Sequence, residues 1–273
     1  MDVKKAQKIN LLLLKEFDRF CRAHDIKYRL EAGTLLGAIR HKGFVPWDDD
    51  CDVVLTRENY EKLINCVKTD EFKAPFKFVR ATDYKDAHFF DFVDRLFYVG
   101  EVYREGEKYR DRYDGYLKYL WLDIFVLDGV DEQNRNKNYF LLKVLYGLAM
   151  GHRYFINYKK YALGDKLKVF VLSAIGKLIS CKYLVKKYFE TVKKNCERTK
   201  GKTCSKYYYM NYPIVYIEYE VDKEDEKDII YVDFEDAKLP VIKEYDKLLK
   251  VLYGNYEKLP EESKRVPEHI DII

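Results

Sequence analysis

The pattern of apolar and polar positions predicts a helix, a short strand and a second helix at the start of the chain. Residues 3–24 carry apolar side chains at mostly helical spacing, which is typical of an amphipathic helix with one buried stripe. Ile26–Leu30 is short and β-like, and residues 31–34 are predicted to form a turn. Thr34 is a favourable N-cap for a brief helix over Leu35–His41.

The next stretch is richer in strands. Trp47–Leu55 is an acidic segment that passes into an apolar run, and the pattern predicts a second strand there. Arg57–Lys68 has helical spacing, and the charged segment Arg104–Gly115 is typical of a long hairpin loop or lid. Further strands are predicted at Phe76–Val79, Phe92–Val102 and Tyr119–Val126.

The second half of the chain has a different character. Asn134–Lys200 is mostly helical and rich in Lys, Tyr and Phe, and the tail holds one strand, Asp228–Val232, then a helix over Ile242–Tyr253 that Gly254 ends. The fold class is therefore α/β of the α+β kind, a mixed β-sheet flanked by helices with an additional helical subdomain. The predicted domains are a core over 1–130, a helical subdomain over 131–205 and a C-terminal segment over 206–273 that packs back on the core.

Composition narrows the function classes. With 273 residues, 48% of them apolar, the chain can bury a sizeable core, and its net charge of +4 lacks the concentrated basic field of a nucleic-acid-binding protein. The six cysteines show no CxxC pairing, so we expect free thiols in a reducing cytoplasm. The N-terminus lacks a signal-peptide pattern, and Tyr139–Ile156 is too interrupted to span a bilayer. We expect a cytoplasmic protein, either soluble or attached to the inner face of the membrane.

The acidic segment carries the most chemical information. In a strand, Asp48, Asp50 and Asp52 would project from one face, while Asp49 and Cys51 would project from the other. Three carboxylates on one face repel each other unless a cation, a pKa shift or solvent relieves the repulsion, and oxygen ligands favour Mg²⁺ or Mn²⁺. The alternative interpretation is a solvated acidic turn.

Two flanking features favour the metal interpretation. Upstream, Gly33-Thr34 and Gly37 allow close backbone approach, and the helix N-terminus that follows offers free amides to a phosphate. Downstream, Asp123 lies within an otherwise apolar strand, where a buried carboxylate needs a partner that a shared metal would supply. An ordinary turn and a hydrogen-bonded core carboxylate are the alternatives.

The segment from Leu30 to Asp52 resembles the signature of the LicD family, which is similar to fukutin and fukutin-related proteins. The resemblance implies the nucleotidyltransferase fold, whose pattern is a Gly-Ser or Gly-Thr turn, an Asp-x-Asp pair and a third Asp on a neighbouring strand. Thr34, Asp50 with Asp52, and Asp123 match these places. The tail also resembles the family through Tyr253-Gly254-Asn255-Tyr256, Leu259-Pro260 and Arg265.

The resemblance implies metal-dependent transfer of a phosphorylated alcohol, most plausibly phosphocholine from CDP-choline, to a surface glycan or teichoic acid; in the fukutin branch the donor is CDP-ribitol. Catalysis would fall to Asp50, Asp52 and Asp123, with Asp123 as the proton acceptor. The Mg²⁺ or Mn²⁺ ligands would be Asp48, Asp50, Asp52 and Asp123, and the phosphate contacts Gly33, Thr34, Gly37, Arg40 and Arg95. For Arg40 a solvent-facing salt bridge is the alternative, and for Arg95 a solvated edge position.

Three further alternatives concern the reaction that the protein performs and the role of its helical region. A nucleotidyltransferase that modifies a sugar or an antibiotic would keep the fold and metal but release pyrophosphate. A non-catalytic member would only bind a glycan or nucleotide. The helical region, Tyr139–Lys194, would either make a peripheral membrane contact with a lipid-linked acceptor or pack on the sheet with its lysines in water.

Overall fold

A computed structural model describes residues 2–85, 88–106, 112–158, 161–201, 204–211 and 219–267. The fold is a mixed β-sheet with helices, which confirms the predicted α+β class. The chain divides into two compact units. The first unit comprises Met1–Val79, Asp94–Leu127 and Glu224–Ile272, and the second comprises Arg80–Val93 and Asp128–Lys223.

The helices and strands of the described residues are numbered in chain order. The helices are α1 (Val3–Ala23), α2 (Ala32–His41), α3 (Arg57–Cys66), α4 (Arg135–Ala149), α5 (Leu163–Gly176), α6 (Cys181–Thr199) and α7 (Tyr245–Tyr253). The strands are β1 (Arg29–Leu30), β2 (Asp52–Thr56), β3 (Phe76–Val79), β4 (Asp94–Tyr98), β5 (Leu120–Gly129), β6 (Lys206–Tyr209), β7 (Glu220–Asp222), β8 (Ile229–Phe234) and β9 (Ala237–Ile242). Short 3₁₀ turns occur at Met150–His152 and Glu262–Lys264, and within Arg112–Lys118, where left-handed φ values at Tyr113, Asp114 and Gly115 interrupt the helix.

The sheet of the first unit has the strand order β1-β2-β5-β4-β3. Strands β2 and β5 are parallel, whereas β1 with β2, β4 with β5 and β3 with β4 are antiparallel. One face of this sheet is packed by aromatic side chains. Phe20 of α1 stacks on Phe72 at 4.2 Å, and Phe72 stacks on Phe78 of β3 at 6.1 Å. On the same face, the Tyr60 hydroxyl of α3 donates to Asp94 Oδ2 at 2.6 Å. Helices α1 and α3 therefore cover this face.

The hairpin of β8 and β9 belongs to the first unit. Its turn residue Glu235 has a left-handed φ of 52° and donates its backbone N–H to the Lys42 carbonyl oxygen at 2.8 Å. The Glu235 carboxylate accepts the backbone N–H of Phe44 at 3.1 Å, and Phe44 packs edge-on against Phe234 at 4.8 Å. These contacts fix the loop that follows α2.

The second unit contains α4, α5, α6 and the antiparallel pair β6 and β7. Its centre is aromatic, with Phe92 stacked on Tyr188 of α6 at 3.5 Å and Phe92 edge-on to Tyr146 of α4 at 5.3 Å. The Tyr188 hydroxyl donates to the Met210 carbonyl oxygen at 2.7 Å. The tyrosine-rich helical sequence therefore forms a buried core, as well as a solvated surface.

Several sequence predictions need correction. Helix α2 begins at Ala32, not at Leu35, so Thr34 lies inside the helix and Glu31 is the N-cap. The predicted strand over Trp47–Leu55 is wrong in its first half, since β2 begins only at Asp52. The predicted single tail strand is one arm of the β8–β9 hairpin, and the sequence interpretation missed β6, β7 and β9. Part of the predicted loop over Arg104–Gly115, residues 107–111, lies outside the described residues.

The structure also bears on the predictions about the cysteines and about membrane-spanning helices. All six cysteines lie within the described residues, and none forms a disulfide. No helix in the described parts of the chain is both long enough and apolar enough to cross a bilayer.

Candidate functional site

A row of ionisable side chains crosses the sheet on the face opposite α1 and α3. Asp52 of β2 lies directly beside Asp123 of β5 in the parallel register, and Asp123 lies directly beside Arg95 of β4. On the other side of Asp52, the backbone N–H of Glu31 donates to the Asp52 carbonyl oxygen at 3.1 Å. Because directly paired positions on neighbouring strands project from the same face, Glu31, Asp52, Asp123 and Arg95 form one row, which we call the charged row.

Arg95 lies buried within this row. Only 2% of its surface is exposed, and its Nε lies 2.7 Å from Asp123 Oδ1. Its guanidinium also lies 5.3 Å from the ring centroid of Trp121. The solvated-edge alternative for Arg95 is therefore wrong, and Asp123 has a protein cation as a partner.

The acidic segment before β2 is a loop held by α1. The side-chain amide of Gln7 donates to the carbonyl oxygens of Val45 at 3.0 Å and Asp48 at 2.9 Å, and that of Asn10 donates to the Asp49 carbonyl oxygen at 3.0 Å. The predicted strand-like alternation of Asp48, Asp50 and Asp52 is wrong, because residues 48–51 precede the strand. We call residues 45–51 the acidic loop.

The glycines of α2 make room for this loop. A Cβ on Gly33 would lie 2.5 Å from Asp48 Oδ2, and a Cβ on Gly37 would lie 2.4 Å from the Gly43 carbonyl oxygen. Gly33 and Gly37 are four residues apart, so they lie on the same face of the helix. Because neither glycine has a side chain, the Asp48 carboxylate can lie against Gly33 and the Gly43 backbone against Gly37. The sequence interpretation did not foresee this role.

Thr34 connects α2 to the charged row. Its Oγ1 accepts the backbone N–H of Asp52 at 2.9 Å, and only 1% of its surface is exposed. The hydroxyl therefore orients the first residue of β2. A phosphate contact by Thr34 remains a prediction.

The neighbouring carboxylates lie close enough to Asp52 to alter its proton affinity. Asp52 is 7% exposed. Burial raises its pKa well above the ordinary value, and neighbouring negative charges raise it further. Those neighbours, in decreasing order of effect, are Asp50, Asp123, Asp48 and Glu31.

The donor set has the chemistry of a hard-cation site, since all its ligand atoms would be carboxylate oxygens. Across the described ranges, however, no group of three or more His, Cys, Asp or Glu side chains is arranged so that it could hold a metal ion. In this arrangement Asp123 contacts Arg95. Binding of a cation by these carboxylates would therefore require them to move closer together.

Two charged residues at the β1 end of the site, Glu31 of the charged row and Arg29 beside it, were missed from sequence. Arg29 and Glu31 are 1% and 0% exposed and form an ion pair. Arg29 Nη2 also lies 2.7 Å from Glu226 Oε1. The order Arg-Leu-Glu in a strand places its two charges on one face, which is the signal that could have identified the pair.

The C-terminal segment of the first unit lies beside the acidic loop and α2. Arg40 Nη1 donates to the Tyr256 carbonyl oxygen at 2.7 Å, and the Arg265 guanidinium lies 5.7 Å from the ring centroid of Trp47. Arg40 thus contacts this segment. The alternative interpretation of Arg40 was a salt bridge that faces solvent, and the ion pairs of the described residues include none formed by Arg40. Burial lowers the pKa of Arg40.

Tyr253 is a further candidate site residue. Although the residue keeps 43% of its surface exposed, burial of its hydroxyl raises its pKa, and the nearby charges of Asp52 and Glu31 raise it further. The hydroxyl therefore lies on the acidic side of the sheet. The tail motif had identified this tyrosine without indicating its location.

Comparisons with known proteins fit this architecture. Residues 25–127 match the sequence profile of a family described as "LicD/FKTN/FKRP, nucleotidyltransferase domain". The lipopolysaccharide cholinephosphotransferase LicD of Haemophilus influenzae is 28% identical over 290 aligned positions, which cover 99% of this chain and 97% of that protein. Two uncharacterized proteins, RP689 of Rickettsia prowazekii and RT0683 of Rickettsia typhi, are each 45% identical over 47 residues. Those alignments cover 17% of this chain, 18% of RP689 and 15% of RT0683.

Proposed function

Because residues 25–127 match the nucleotidyltransferase domain of the LicD/FKTN/FKRP family, we propose that this chain is a member of that family and that it transfers phosphocholine from a CDP-linked donor to a hydroxyl group of a cell-surface glycan. The observation that carries the proposal is the similarity to a lipopolysaccharide cholinephosphotransferase over 99% of the chain. The name of that relative favours lipopolysaccharide over teichoic acid as the acceptor. CDP-choline is the favoured donor through the family resemblance.

The matched region contains the whole charged row. Glu31, Asp52, Arg95 and Asp123 all fall within residues 25–127. A buried arginine beside several carboxylates gives the site both signs of charge, which suits a substrate that carries phosphate and a hydroxyl that must lose a proton. In this proposal Arg95 positions Asp123, the proton acceptor, through their 2.7 Å contact.

A divalent cation is part of the proposal. Asp50, Asp52 and Asp123, with Asp48 as an additional ligand, would hold Mg²⁺ or Mn²⁺, which would neutralise charge on the donor diphosphate when bound. Support comes from the oxygen-only donor set and from the raised pKa of Asp52, to which burial contributes most and the neighbouring carboxylates add. Gly33, Thr34, Gly37 and Arg40 are proposed to lie next to the phosphates, with the helix N-terminus of α2 favouring an anion.

The test is donor cleavage by the purified chain. CDP-choline, CDP-ribitol and CDP-glycerol are each incubated with the protein and a glycan acceptor, with and without Mg²⁺, and CMP is measured by chromatography. We expect metal-dependent CMP release from CDP-choline and a loss of about 100-fold or more in Asp52→Asn. The control is Asp236→Asn, which removes an exposed carboxylate that pairs with Lys15, and it should retain activity.

Three other outcomes of the donor-cleavage test would contradict the proposal. Full activity of Asp52→Asn would reject the assignment of the charged row. Release of pyrophosphate from a nucleoside triphosphate, with no CMP from any CDP donor, would favour the nucleotidyltransferase alternative. Nucleotide binding without any product would favour a non-catalytic binding protein.

A further inference from the structure

Helix α5 of the second unit buries few of its side chains and exposes most of its large apolar ones. Its buried residues are Val169, Ser173 and Gly176. A Cβ on Gly176 would lie 1.9 Å from the Leu148 carbonyl oxygen of α4, so the two helices approach closely along this side. An ordinary surface helix has the opposite arrangement, with its apolar residues facing inward.

The outward face of α5 is apolar along its whole length. Leu163, Leu167, Phe170, Val171 and Ile175 are separated by three, four or one positions and therefore share one side of the helix. We call this side the outer face. Leu178 continues the apolar sequence just beyond the helix. The exposed fractions are 84% for Leu163, 66% for Leu167, 59% for Phe170, 46% for Val171, 47% for Ile175 and 87% for Leu178.

Positive charges border the outer face on both sides. At 100° per residue, Lys166 and Lys177 fall along one edge of the apolar side and Lys168 along the other. Asp165 is the single acidic residue between Leu163 and Leu178, and it pairs with Lys168 at 3.0 Å. Lysines at such edges can extend their ammonium groups toward a negatively charged surface while their stems cover apolar area.

We propose that the outer face of α5 docks on the surface of an anionic phospholipid bilayer, with the helix lying in the plane of the interface. The apolar side chains would enter the boundary between headgroups and acyl chains, and the bordering lysines would meet lipid phosphates. At 14 residues the helix is shorter than the roughly 20 needed to cross a bilayer. It therefore lies on the surface and does not span it.

A second copy of this chain is a less suitable occupant. Two outer faces packed against each other would bring the lysine borders of both copies together, and their like charges would repel. A bilayer with acidic lipids satisfies the apolar area and the charges at once. This inference does not depend on the proposed enzymatic activity.

The test is cosedimentation of the full chain with vesicles at low salt. Vesicles of phosphatidylcholine alone are compared with vesicles that also contain phosphatidylglycerol. We expect binding to the acidic vesicles, with affinity reduced by about tenfold or more in Leu167→Asp/Phe170→Asp and also reduced in Lys166→Glu/Lys177→Glu. The matched control is Val251→Asp, a change at a 62% exposed valine of α7 in the first unit, which should bind like the unchanged protein.

Circular dichroism of each variant shows whether its helices are retained, which is expected because every substituted side chain is largely exposed or at the border of the face. Absence of binding to acidic vesicles at low salt would overturn the proposal. A dimer in analytical ultracentrifugation that Leu167→Asp/Phe170→Asp converts to a monomer would also overturn it, since a second copy would then cover the face.

Discussion

Single residues of the α2 segment have more specific roles than their types suggest. Gly33 and Gly37 are typical of a phosphate-binding turn. In the structure, each also leaves space that another part of the chain occupies, Asp48 at Gly33 and Gly43 at Gly37. The atom that a new Cβ would meet differs between them. At Gly33 it belongs to the flexible Asp48 side chain, whereas at Gly37 it is a backbone oxygen of Gly43.

This difference predicts different outcomes for two alanine substitutions. Gly37→Ala should lower the free energy of unfolding by about 1–3 kcal/mol, because backbone must move to relieve the 2.4 Å contact. Gly33→Ala should change stability little but lower CMP release, because Asp48 can rotate away from the site. Urea unfolding and the CMP assay measure the two effects.

The control for both is Gly164→Ala in α5, where a Cβ would meet nothing within 4 Å. It should stabilise the protein by about 0.5–1 kcal/mol, since Ala is the better helix former. Equal stability of Gly37→Ala and Gly164→Ala would contradict the steric argument.

The sequence identified some site residues and could not locate others. Asp52 and Asp123 were identified as neighbours through the family pattern, and the parallel register places them side by side. The environment of Arg95 was not predictable, because a local pattern carries no information about which residue lies on the neighbouring strand. Register depends on long-range pairing, so the contact with Asp123 required the structure.

Among whole elements, α1 was predicted almost to the residue, because its apolar stripe repeats over five turns. Its polar positions were less informative. Gln7 and Asn10 are 7% and 0% exposed, and polar residues on the buried side of an amphipathic helix are a signal that the sequence interpretation passed over. Their amides hold the acidic loop, so α1 supports the site as well as the core.

Removal of these amides should loosen the acidic loop. Asn10→Ala leaves the Asp49 carbonyl oxygen without the donor that now reaches it at 3.0 Å, and should cost about 1–3 kcal/mol of stability. Hydrogen exchange of the amides at residues 48–52 should become faster. Lys8→Ala, an exposed position on the same helix, is the control and should leave both quantities unchanged. Unchanged exchange in Asn10→Ala would show that α1 does not hold the loop.

Strands were harder to predict than helices. The acidic loop was assigned to a strand because it leads directly into apolar β2 residues, and the hydrogen bonds from α1 that keep it outside the sheet connect positions 38 to 41 residues apart. The second arm of the tail hairpin was missed, and it contains Pro240, which lies within β9 opposite Tyr231. Proline is compatible with a strand at a sheet edge, and a two-stranded hairpin consists only of edges.

On the scale of the whole molecule, each unit contains a buried carboxylate whose ionised form is stabilised by hydrogen bonds. Burial alone would raise the pKa of Glu16, but hydrogen bonds from Arg19 and from the Lys73 backbone N–H outweigh it and lower the pKa. Burial likewise opposes the lowered pKa of Asp131 in the second unit, where Asn134 and Arg198 donate at 2.9 and 2.5 Å.

Both units should therefore lose stability in acid. A carboxyl group with a lowered folded-state pKa stabilises the protein above its unfolded pKa, about 3.9 for Asp and 4.3 for Glu. That contribution disappears as pH falls through the folded-state pKa. Unfolding measured by urea between about pH 5 and pH 3 should show a shallower loss for Glu16→Gln and Asp131→Asn than for the unchanged protein.

Asp233→Asn is the control for this comparison. Asp233 pairs with Lys238 at 2.7 Å on an exposed part of the hairpin, where solvent screens the pair. The pair with Lys238 lowers the pKa of Asp233, but solvent screening weakens this effect, so the substitution should change the pH dependence less than Glu16→Gln or Asp131→Asn does. Identical acid slopes for Glu16→Gln, Asp131→Asn and the unchanged protein would show that these two buried carboxylates do not control acid stability.

The contacts that surround the charged row join residues at very different separations along the chain. These separations bear on the order in which the contacts form during folding. The α1 amides reach the acidic loop across 38 to 41 residues, whereas Arg29 reaches Glu226 across 197 residues and Arg40 reaches Tyr256 across 216. Longer loops cost more entropy to close, and chains rich in distant contacts fold more slowly. We therefore expect the acidic loop to form before the segment that contacts Arg40 docks, so that this segment would meet a negatively charged surface that has already folded.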